Sequence, residues 1–320
     1  MSPDPETQYP HKAKGFAYAM AAFGWWAFFL PSYFKLLTHY GTPPFEAFAE
    51  RILFGFPVLL VILAFTKQLG DFRKALTTWH TLKFLIPSTC LIFFNWFFFI
   101  YSVATDRMSH AAMGYYINPL FSIALGFFFL GERMRRIQWL AIALAGVAVI
   151  VMGYAELTAV NSHGLPWIAL ILPTSFGFYG LLRKNVKVSA TVGLTFEMMF
   201  LAPIGIGLMI WLSKENTAII LADSTPSWLT GVMLLGGIVT IIPMVCFTNG
   251  VRLLPLSTVG LLQYSAPTGQ LLLSFLAFGE TFTPMKFFSF AIIWAAIGLY
   301  TWDMIRGHRE MKSAKIEMLE

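Results

Sequence analysis

Long apolar runs constrain the fold of this chain more than any other feature of its sequence. Seven stretches contain no Asp, Glu, Lys or Arg, and each can cross a bilayer as a helix: residues 15–34, 84–105, 108–131, 137–155, 157–182, 224–251 and 253–279. Three further apolar segments, near 52–66, 188–213 and 287–302, have a charge within them or close beside them. The sequence therefore predicts an all-α polytopic membrane protein with ten transmembrane helices.

A repeated pattern divides these ten predicted helices into two halves. Seven residues recur 148 positions later with no gaps: Ser109, Tyr116, Pro119, Leu125, Phe127, Gly131 and Glu132 as Ser257, Tyr264, Pro267, Leu273, Phe275, Gly279 and Glu280. Apolar matches arise easily by chance in such a chain, but the Tyr-x-x-Pro and Gly-Glu matches at one shared offset indicate a duplicated unit. Each copy holds five predicted helices, so the second copy enters the membrane in the opposite orientation. We predict two inverted five-helix repeats, residues 14–156 and 164–303.

The distribution of basic residues predicts the orientation. With the amino terminus in the cytoplasm, 17 of the 22 Lys and Arg residues fall in cytoplasmic segments and four in outer ones. This asymmetry follows the positive-inside rule, so both termini are predicted to be cytoplasmic tails, residues 1–13 and 304–320. The basic residues lie between apolar runs and form no patch with interleaved aromatics. We therefore expect no nucleic-acid partner, despite the net charge of +6.

Among the charged residues inside predicted helices, three are singled out as intramembrane charges: Glu50, Arg51 and Glu197. A charge at membrane depth is costly, so it is a candidate for a role in transport. Glu50 and Arg51 are adjacent and point about 100° apart on a helix, so we expect their partners on other helices, with Glu197 as one candidate. The alternative is a structural network of ion pairs near a membrane interface.

Two prolines, Pro119 and Pro267, lie inside predicted helices four and nine. Proline removes a backbone hydrogen bond, so each predicts a kink, either a bend that serves transport or a static packing feature. Polar and aromatic side chains in the same region are candidates for a substrate cavity. The candidates are Asn95, Tyr116, Asn118, Tyr179, Gln263 and Tyr264. Trp and Tyr also anchor helices at membrane interfaces, and we assign Trp26 and most other Trp residues to that role.

Charged residues near predicted helix ends are expected to be structural. Glu132 and Glu280 follow glycines and suit tight turns at the membrane surface, with a gate contact as the alternative. Lys35, Arg183 and Lys184 are expected to extend their charged groups towards the interface.

Several motifs occur in order along the chain: Glu46-x-x-x-x-Arg51-Ile52-Leu53, Asn95-Trp96 with Ile100, Met113 to Leu120, Gly131-Glu132-Arg133 with Gln138-Trp139, Ser175 to Lys184, Thr240-x-x-Pro243 and Leu254 to Pro267. With these motifs the chain resembles the RarD branch of the EamA family in the drug/metabolite transporter superfamily, and the resemblance covers residues 14–302. The family usually has His before the Arg of the second helix, where this chain has Glu50. That departure puts in doubt any proton role that rests on the histidine.

The resemblance implies an inner-membrane permease with a central cavity between its two halves. The family name is associated with chloramphenicol sensitivity, and wider relatives export amino acids and other small metabolites. We expect a secondary transporter that moves such a solute by alternating access. Its partners are a small-molecule substrate and the lipid bilayer, while a coupling proton and a homodimer are left open.

Two other classes of function are less consistent with the sequence. A membrane-embedded enzyme would need a catalytic cluster, but the six histidines are scattered. A passive channel would be expected to carry a repeated filter loop. Cys90 and Cys246 have no metal-binding or disulfide spacing. We therefore expect no catalytic residue, no metal and no cofactor.

Overall fold

A computed structural model describes residues 11–105, 107–157, 167–278 and 284–317, and the regular structure in these ranges is helical. The first half contains α1 (Lys12–Gly24), a π-helical turn (Trp25–Phe29), α2 (Leu30–His39), α3 (Pro44–Phe65), α4 (Leu69–Thr77), α5 (Trp79–Ala104), α6 (Met108–Leu130) and α7 (Arg136–Leu157). The second half contains α8 (Ile168–Asn185), α9 (Ala190–Lys214), α10 (Ser227–Leu234), α11 (Gly236–Leu253), α12 (Leu256–Gln263), α13 (Ser265–Phe278) and α14 (Pro284–Glu317). The predicted all-α fold is confirmed.

Five helical segments are long and apolar enough to cross a membrane, judged by length and composition: Pro44–Phe65, Trp79–Ala104, His110–Leu130, Ala190–Lys214 and Ser227–Leu253. Large apolar side chains on the outer surface, such as Phe65 (85% exposed) and Phe128 (76% exposed), would be unfavourable in water and suit contact with lipid. The chain is therefore a helical membrane protein.

Several apolar segments are interrupted instead of running as one regular helix. The first contains the π-helical turn, the eighth breaks at Leu235, and the ninth breaks at Tyr264. Pro267 lies three residues after the last break, and its missing N–H leaves the carbonyl of Gln263 without its usual helical donor. Pro119, by contrast, lies inside the unbroken helix α6.

Two features of the structure were not expected from the sequence: an additional short helix and a longer last helix. The short helix α4 was not predicted; it buries Phe72 and Ala75 and has polar residues on its other side. The last apolar segment and the charged tail form one continuous helix to Glu317. The predicted Gly279-Glu280 pair lies outside the described residues.

Helices of the two halves pack against each other in a regular order. α3 packs on α9, α6 on α12 and α7 on α14, while α8 contacts α5 and α6, and α1 contacts α11. One close approach is at Gly237 of α11, where an added Cβ would lie 2.4 Å from the carbonyl carbon of Phe54 and the nitrogen of Gly55 in α3. Only glycine allows these two backbones to lie so close together.

Candidate functional site

A cavity lies between helices of the two halves. Its empty volume is about 920 Å³, including the part that opens to solvent. The first half contributes aromatic and polar side chains from α1, the π-helical turn, α3, α5 and α6, and the second half contributes others from α8, α11, α12 and α13. The lining includes Phe23, Trp26, Arg51, Asn95, Trp96, Phe99, Tyr115, Asn118, Phe176, Thr240, Met244, Gln263, Pro267 and Gln270. Mostly apolar walls with a few polar groups are typical of small-molecule sites.

Arg51 is held in the cavity wall by contacts from three helices. Its Nε donates to Thr240 Oγ1 at 2.9 Å, which joins α3 to α11. Its guanidinium carbon lies 4.6 Å from the ring centre of Trp96 in α5 and 5.7 Å from that of Phe34 in α2. The planar guanidinium group is therefore fixed between aromatic faces, and 6% of the residue remains exposed.

Four amide side chains surround the same space. Asn95 Nδ2 donates to Leu172 O at 2.9 Å, and Gln270 Nε2 donates to Trp26 O at 2.9 Å, so both keep their carbonyl oxygens as acceptors. Gln263 Oε1 accepts from Ser122 at 3.2 Å. Asn118 is 8% exposed, and its Oδ1 has no hydrogen-bond partner among the described residues. The cavity thus presents hydrogen-bonding groups that the protein itself does not satisfy.

The structure brings some of the predicted cavity residues together and leaves others apart. Asn95, Asn118 and Gln263 line the cavity, whereas Tyr116, Tyr179 and Tyr264 are not among its lining residues. Tyr116 packs edge-to-face on Phe290 in a separate cluster, which also contains the fully buried Tyr264.

The two predicted kink positions are also placed differently. Pro267 lines the cavity. Pro119 lies against α12 instead: a Cβ added to Gly260 would meet its carbonyl oxygen at 2.7 Å.

Glu197 belongs to a second polar cluster, away from the cavity lining. It accepts from Ser88 Oγ at 2.7 Å and from the Tyr179 hydroxyl at 3.2 Å, and it lies 3.8 Å from Arg183 Nη1. Arg183 is fully buried and also donates to Ala190 O at 3.0 Å. A Cβ on Gly193 would lie 1.7 Å from Arg183 Nη1, so the glycine makes room for the guanidinium. The expectation that Arg183 extends to the interface is wrong, because a buried carboxylate neutralises it.

Glu50 is fully buried on a different side of α3 from Arg51. Neither of its carboxylate oxygens has a hydrogen-bond partner among the described residues, and the same holds for the hydroxyl of nearby Tyr33. Both lie next to Gly236, the first residue of α11 after the break at Leu235. The ion pair described for Glu197 is with Arg183, so Glu197 is not the described partner of Arg51.

At helix ends, Glu132 joins the two halves and Lys184 joins two helices of the second half. Glu132 accepts from the backbone nitrogens of Leu256 at 2.6 Å and Ser257 at 2.9 Å, and so caps α12 from the end of α6. Lys184 donates to the carbonyls of Val251 and Leu254. Glu132 thus does more than close a local turn, because it binds an element of the other half.

Most lining residues were not assigned to the cavity from sequence, and four of them illustrate why. Trp26 was placed with the interface anchors, and Phe176, Thr240 and Gln270 received no role. One signal was present for Gln270: it lies seven residues after Gln263, a spacing that keeps two side chains on one helix face. Thr240 occurs in a quoted motif, but nothing local identifies it as the partner of Arg51.

A helical membrane protein with a polar and aromatic cavity between its two halves has the design of a small-molecule transporter. The profile of the EamA-like transporter family matches residues 13–154. An uncharacterized transporter of Vibrio cholerae is 35% identical over 94% of this chain and 96% of its own length. The RarD protein of Escherichia coli is 37% identical over 92% of this chain and 96% of its own length. The chain belongs to the EamA-like transporter family and is of the RarD type.

A solved crystal structure supports the fold independently. It is 18% identical in sequence, with a TM-score of 0.67, and covers 91% of this chain and 98% of its own. At that identity the likeness concerns the fold alone. The family and the relatives are transporters, which agrees with the expectation that the chain is not an enzyme.

Proposed function

We propose that this protein is a secondary transporter that moves a small organic solute across the inner membrane by alternating access. The solute belongs to the classes expected from the family resemblance: an amino acid, another small metabolite or an amphenicol-like drug. The observation that carries the proposal is a cavity lined by both halves of the chain. A site built between two bodies can be exposed to either side when those bodies move relative to each other.

The helix packing supports two inverted five-helix repeats, residues 14–156 and 164–303. Under the repeat, the segment from α1 to α2 corresponds to α8, α5 to α10–α11, and α6 to α12–α13. The contact of α8 with α5 then corresponds to that of α1 with α11, and exchange of the halves leaves the pairs α3–α9 and α7–α14 unchanged. A pseudo-twofold axis between the halves requires these correspondences. With the positive-inside distribution, ten membrane crossings place both termini in the cytoplasm.

Glu50 is the group that we assign to a coupling proton. It is buried among helices that line the cavity, and its carboxylate forms neither a hydrogen bond nor an ion pair with the described residues. A buried carboxyl without a partner is more stable neutral, so movement that opened it to water would favour release of a proton. Glu197 is a poorer candidate because Arg183, Ser88 and Tyr179 already satisfy it.

Reconstitution in liposomes tests the transport proposal. Liposomes that contain the purified protein are loaded with an unlabelled amino acid, metabolite or amphenicol. Uptake of the same labelled compound in exchange is then measured and compared with uptake by protein-free liposomes. We expect counterflow for at least one compound, and a complete lack of exchange or accumulation across the panel would overturn the proposal.

Two cavity variants, with a third as control, test the site itself. Asn118→Ala and Gln263→Ala should each change the KM or the rate of exchange, because both remove a polar group from the cavity wall. Cys90→Ala, an exposed residue on α5, is the matched control and should exchange like the wild type. Unchanged kinetics in both cavity variants would refute the assignment of these side chains.

A further inference from the structure

Arg51 is a cation without a protein counter-ion at the cavity. In the described part of the chain, the hydrogen bond of its guanidinium group is the one from Nε to the neutral hydroxyl of Thr240. The two terminal nitrogens therefore have no carboxylate to pair with. A charge held in a low-dielectric site is costly unless a partner neutralises it.

The nearby acidic residues do not supply that partner. Glu46 accepts from the backbone nitrogens of Ile219 and Ile220, each at 2.8 Å. Glu197 pairs with Arg183, and the oxygens of Glu50 contact no described donor. Arg51 is the one charged residue among the described residues that line the cavity. The site therefore carries a net positive charge.

The orientation of Arg51 defines what it can bind. Thr240 occupies Nε, and Trp96 covers one face of the guanidinium group. The end that carries both terminal nitrogens is left, and two parallel N–H groups fit the two oxygens of a carboxylate. Lysine would provide a point charge there without this planar match.

The remaining walls suit a flat apolar body. Trp26 and Phe176, one from each half, meet edge-to-face with ring centres 5.7 Å apart, and Phe99 and Tyr115, both from the first half, lie 6.0 Å apart. Because the described lining includes no acidic residue, an ammonium group would find amide carbonyls, hydroxyls and aromatic faces but no carboxylate, and would lie in a positively charged site. The site therefore disfavours cations, and we expect it to bind a zwitterion less tightly than an anion.

We propose that the cavity selects an organic monoanion, a carboxylate joined to a flat apolar group, with Arg51 binding the carboxylate and the aromatic walls enclosing the group. This proposal rests on the proposed transport function and names the class of its substrate. It separates organic acids from amino acids and from neutral drugs.

Four probes of similar shape and different charge test the selection. They are 3-phenylpropanoate (anion), 3-phenylpropanamide (neutral), 3-phenylpropylamine (cation) and phenylalanine (zwitterion). Binding to the purified full-length protein is measured by isothermal calorimetry and by the rise in unfolding temperature. Because a hydrogen-bonded ion pair adds to the contacts shared by all four, we expect the anion to bind at least about tenfold more tightly than the amide.

Variants of Arg51 test whether this side chain causes the preference for the anion over the amide. Arg51→Gln should lower anion affinity about tenfold or more and leave the amide unchanged, while Arg51→Lys should keep part of the preference. Lys214→Gln removes one exposed positive charge far along α9 and is the matched control, so its selectivity should equal that of the wild type. If Arg51→Gln does not fold, the wild-type ranking of the four probes and Arg51→Lys still decide.

Binding and transport fail in distinguishable ways. The proposed anion site is overturned if the anion does not bind, if the amide binds as tightly, or if Arg51→Gln keeps the preference. Tight anion binding without exchange in liposomes would instead refute transport and leave the ligand class standing. Exchange of neutral solutes without preference for the anion would refute the ligand class alone.

Discussion

Gly237→Ala should lower the stability of the protein and disturb the cavity, because it forces apart the helices α3 and α11. The added Cβ would lie 2.4 Å from the carbonyl carbon of Phe54 and 2.4 Å from the nitrogen of Gly55, both backbone atoms of α3. Carbon atoms normally pack at about 3.5–4.0 Å, so α3 and α11 must separate by roughly 1 Å. Side-chain rotation cannot relieve this clash, because the atoms met are backbone.

That separation reaches the cavity through Arg51 and Thr240. These residues lie about one turn from the contact and are joined by the 2.9 Å hydrogen bond between α3 and α11. A shift of roughly 1 Å would stretch it to about 3.9 Å, beyond hydrogen-bonding distance. Overpacking costs about 1–3 kcal/mol, and a lost bond to a charged group about 1.5–3 kcal/mol, so we expect a combined loss of about 3 kcal/mol.

Thermal unfolding of the purified protein in detergent measures the loss, which should appear as a fall of roughly 5–10 °C in unfolding temperature. Gly231→Ala is the matched control: this glycine lies in α10, is exposed, and has no atom within 4 Å of an added Cβ. It should be neutral or gain up to about 1 kcal/mol from helix propensity. Equal unfolding temperatures for Gly237→Ala and the wild type would refute the close contact.

Three further changes test the charged residues. Glu197→Gln should lower the free energy of unfolding by about 3–5 kcal/mol, because it leaves Arg183 buried without a carboxylate. Adding Arg183→Leu should recover part of that loss in thermal unfolding. A single variant as stable as the wild type would contradict the pairing. Glu132→Ala frees the first nitrogens of α12 and should lower stability by about 1–3 kcal/mol, whereas Glu132→Gln, which keeps one acceptor, should lose less by the same assay. Glu50→Gln breaks no described hydrogen bond and should change the free energy of unfolding by about 1 kcal/mol or less. It should nevertheless abolish the dependence of liposome transport on a pH gradient. Uptake driven by the gradient in this variant would refute the proton assignment.

The helical architecture was predictable because it depends on local sequence. Uncharged runs of bilayer length leave helices as the main solution for the backbone, and the observed helices begin and end close to the predicted bounds. The break at Tyr264 lies beside a proline that the sequence marks. The break at Leu235 has no proline close by, since the next one is Pro243; its local signal is the Gly236-Gly237 pair, which has low helix propensity.

The cavity was only partly predictable because its residues come from separate helices. Polar residues deep in apolar segments, such as Asn95, Asn118 and Gln263, stand out in sequence and do line it. Trp26 looks like an interface anchor until the π-helical turn brings it beside Phe176. Tyr264 looks like a cavity residue, but the break at that position leaves its side chain fully buried in another cluster. Sequence identifies polarity at depth, and helix rotation decides which side it faces.

The three intramembrane charges differ in kind, although their sequence context makes them look alike. Glu197 has a cation and two hydroxyls around it, so its charge is compensated within the fold and suits a structural role. Arg51 and Glu50 lie on one helix, one turned to the cavity and one away from it, and neither neutralises the other. Stability alone does not require either charge, since apolar replacements avoid the cost of burying them. The presence of both is explained if the counter-ion of Arg51 arrives as substrate and the charge of Glu50 is removed by a proton, so that two transported species complete what the protein leaves unpaired.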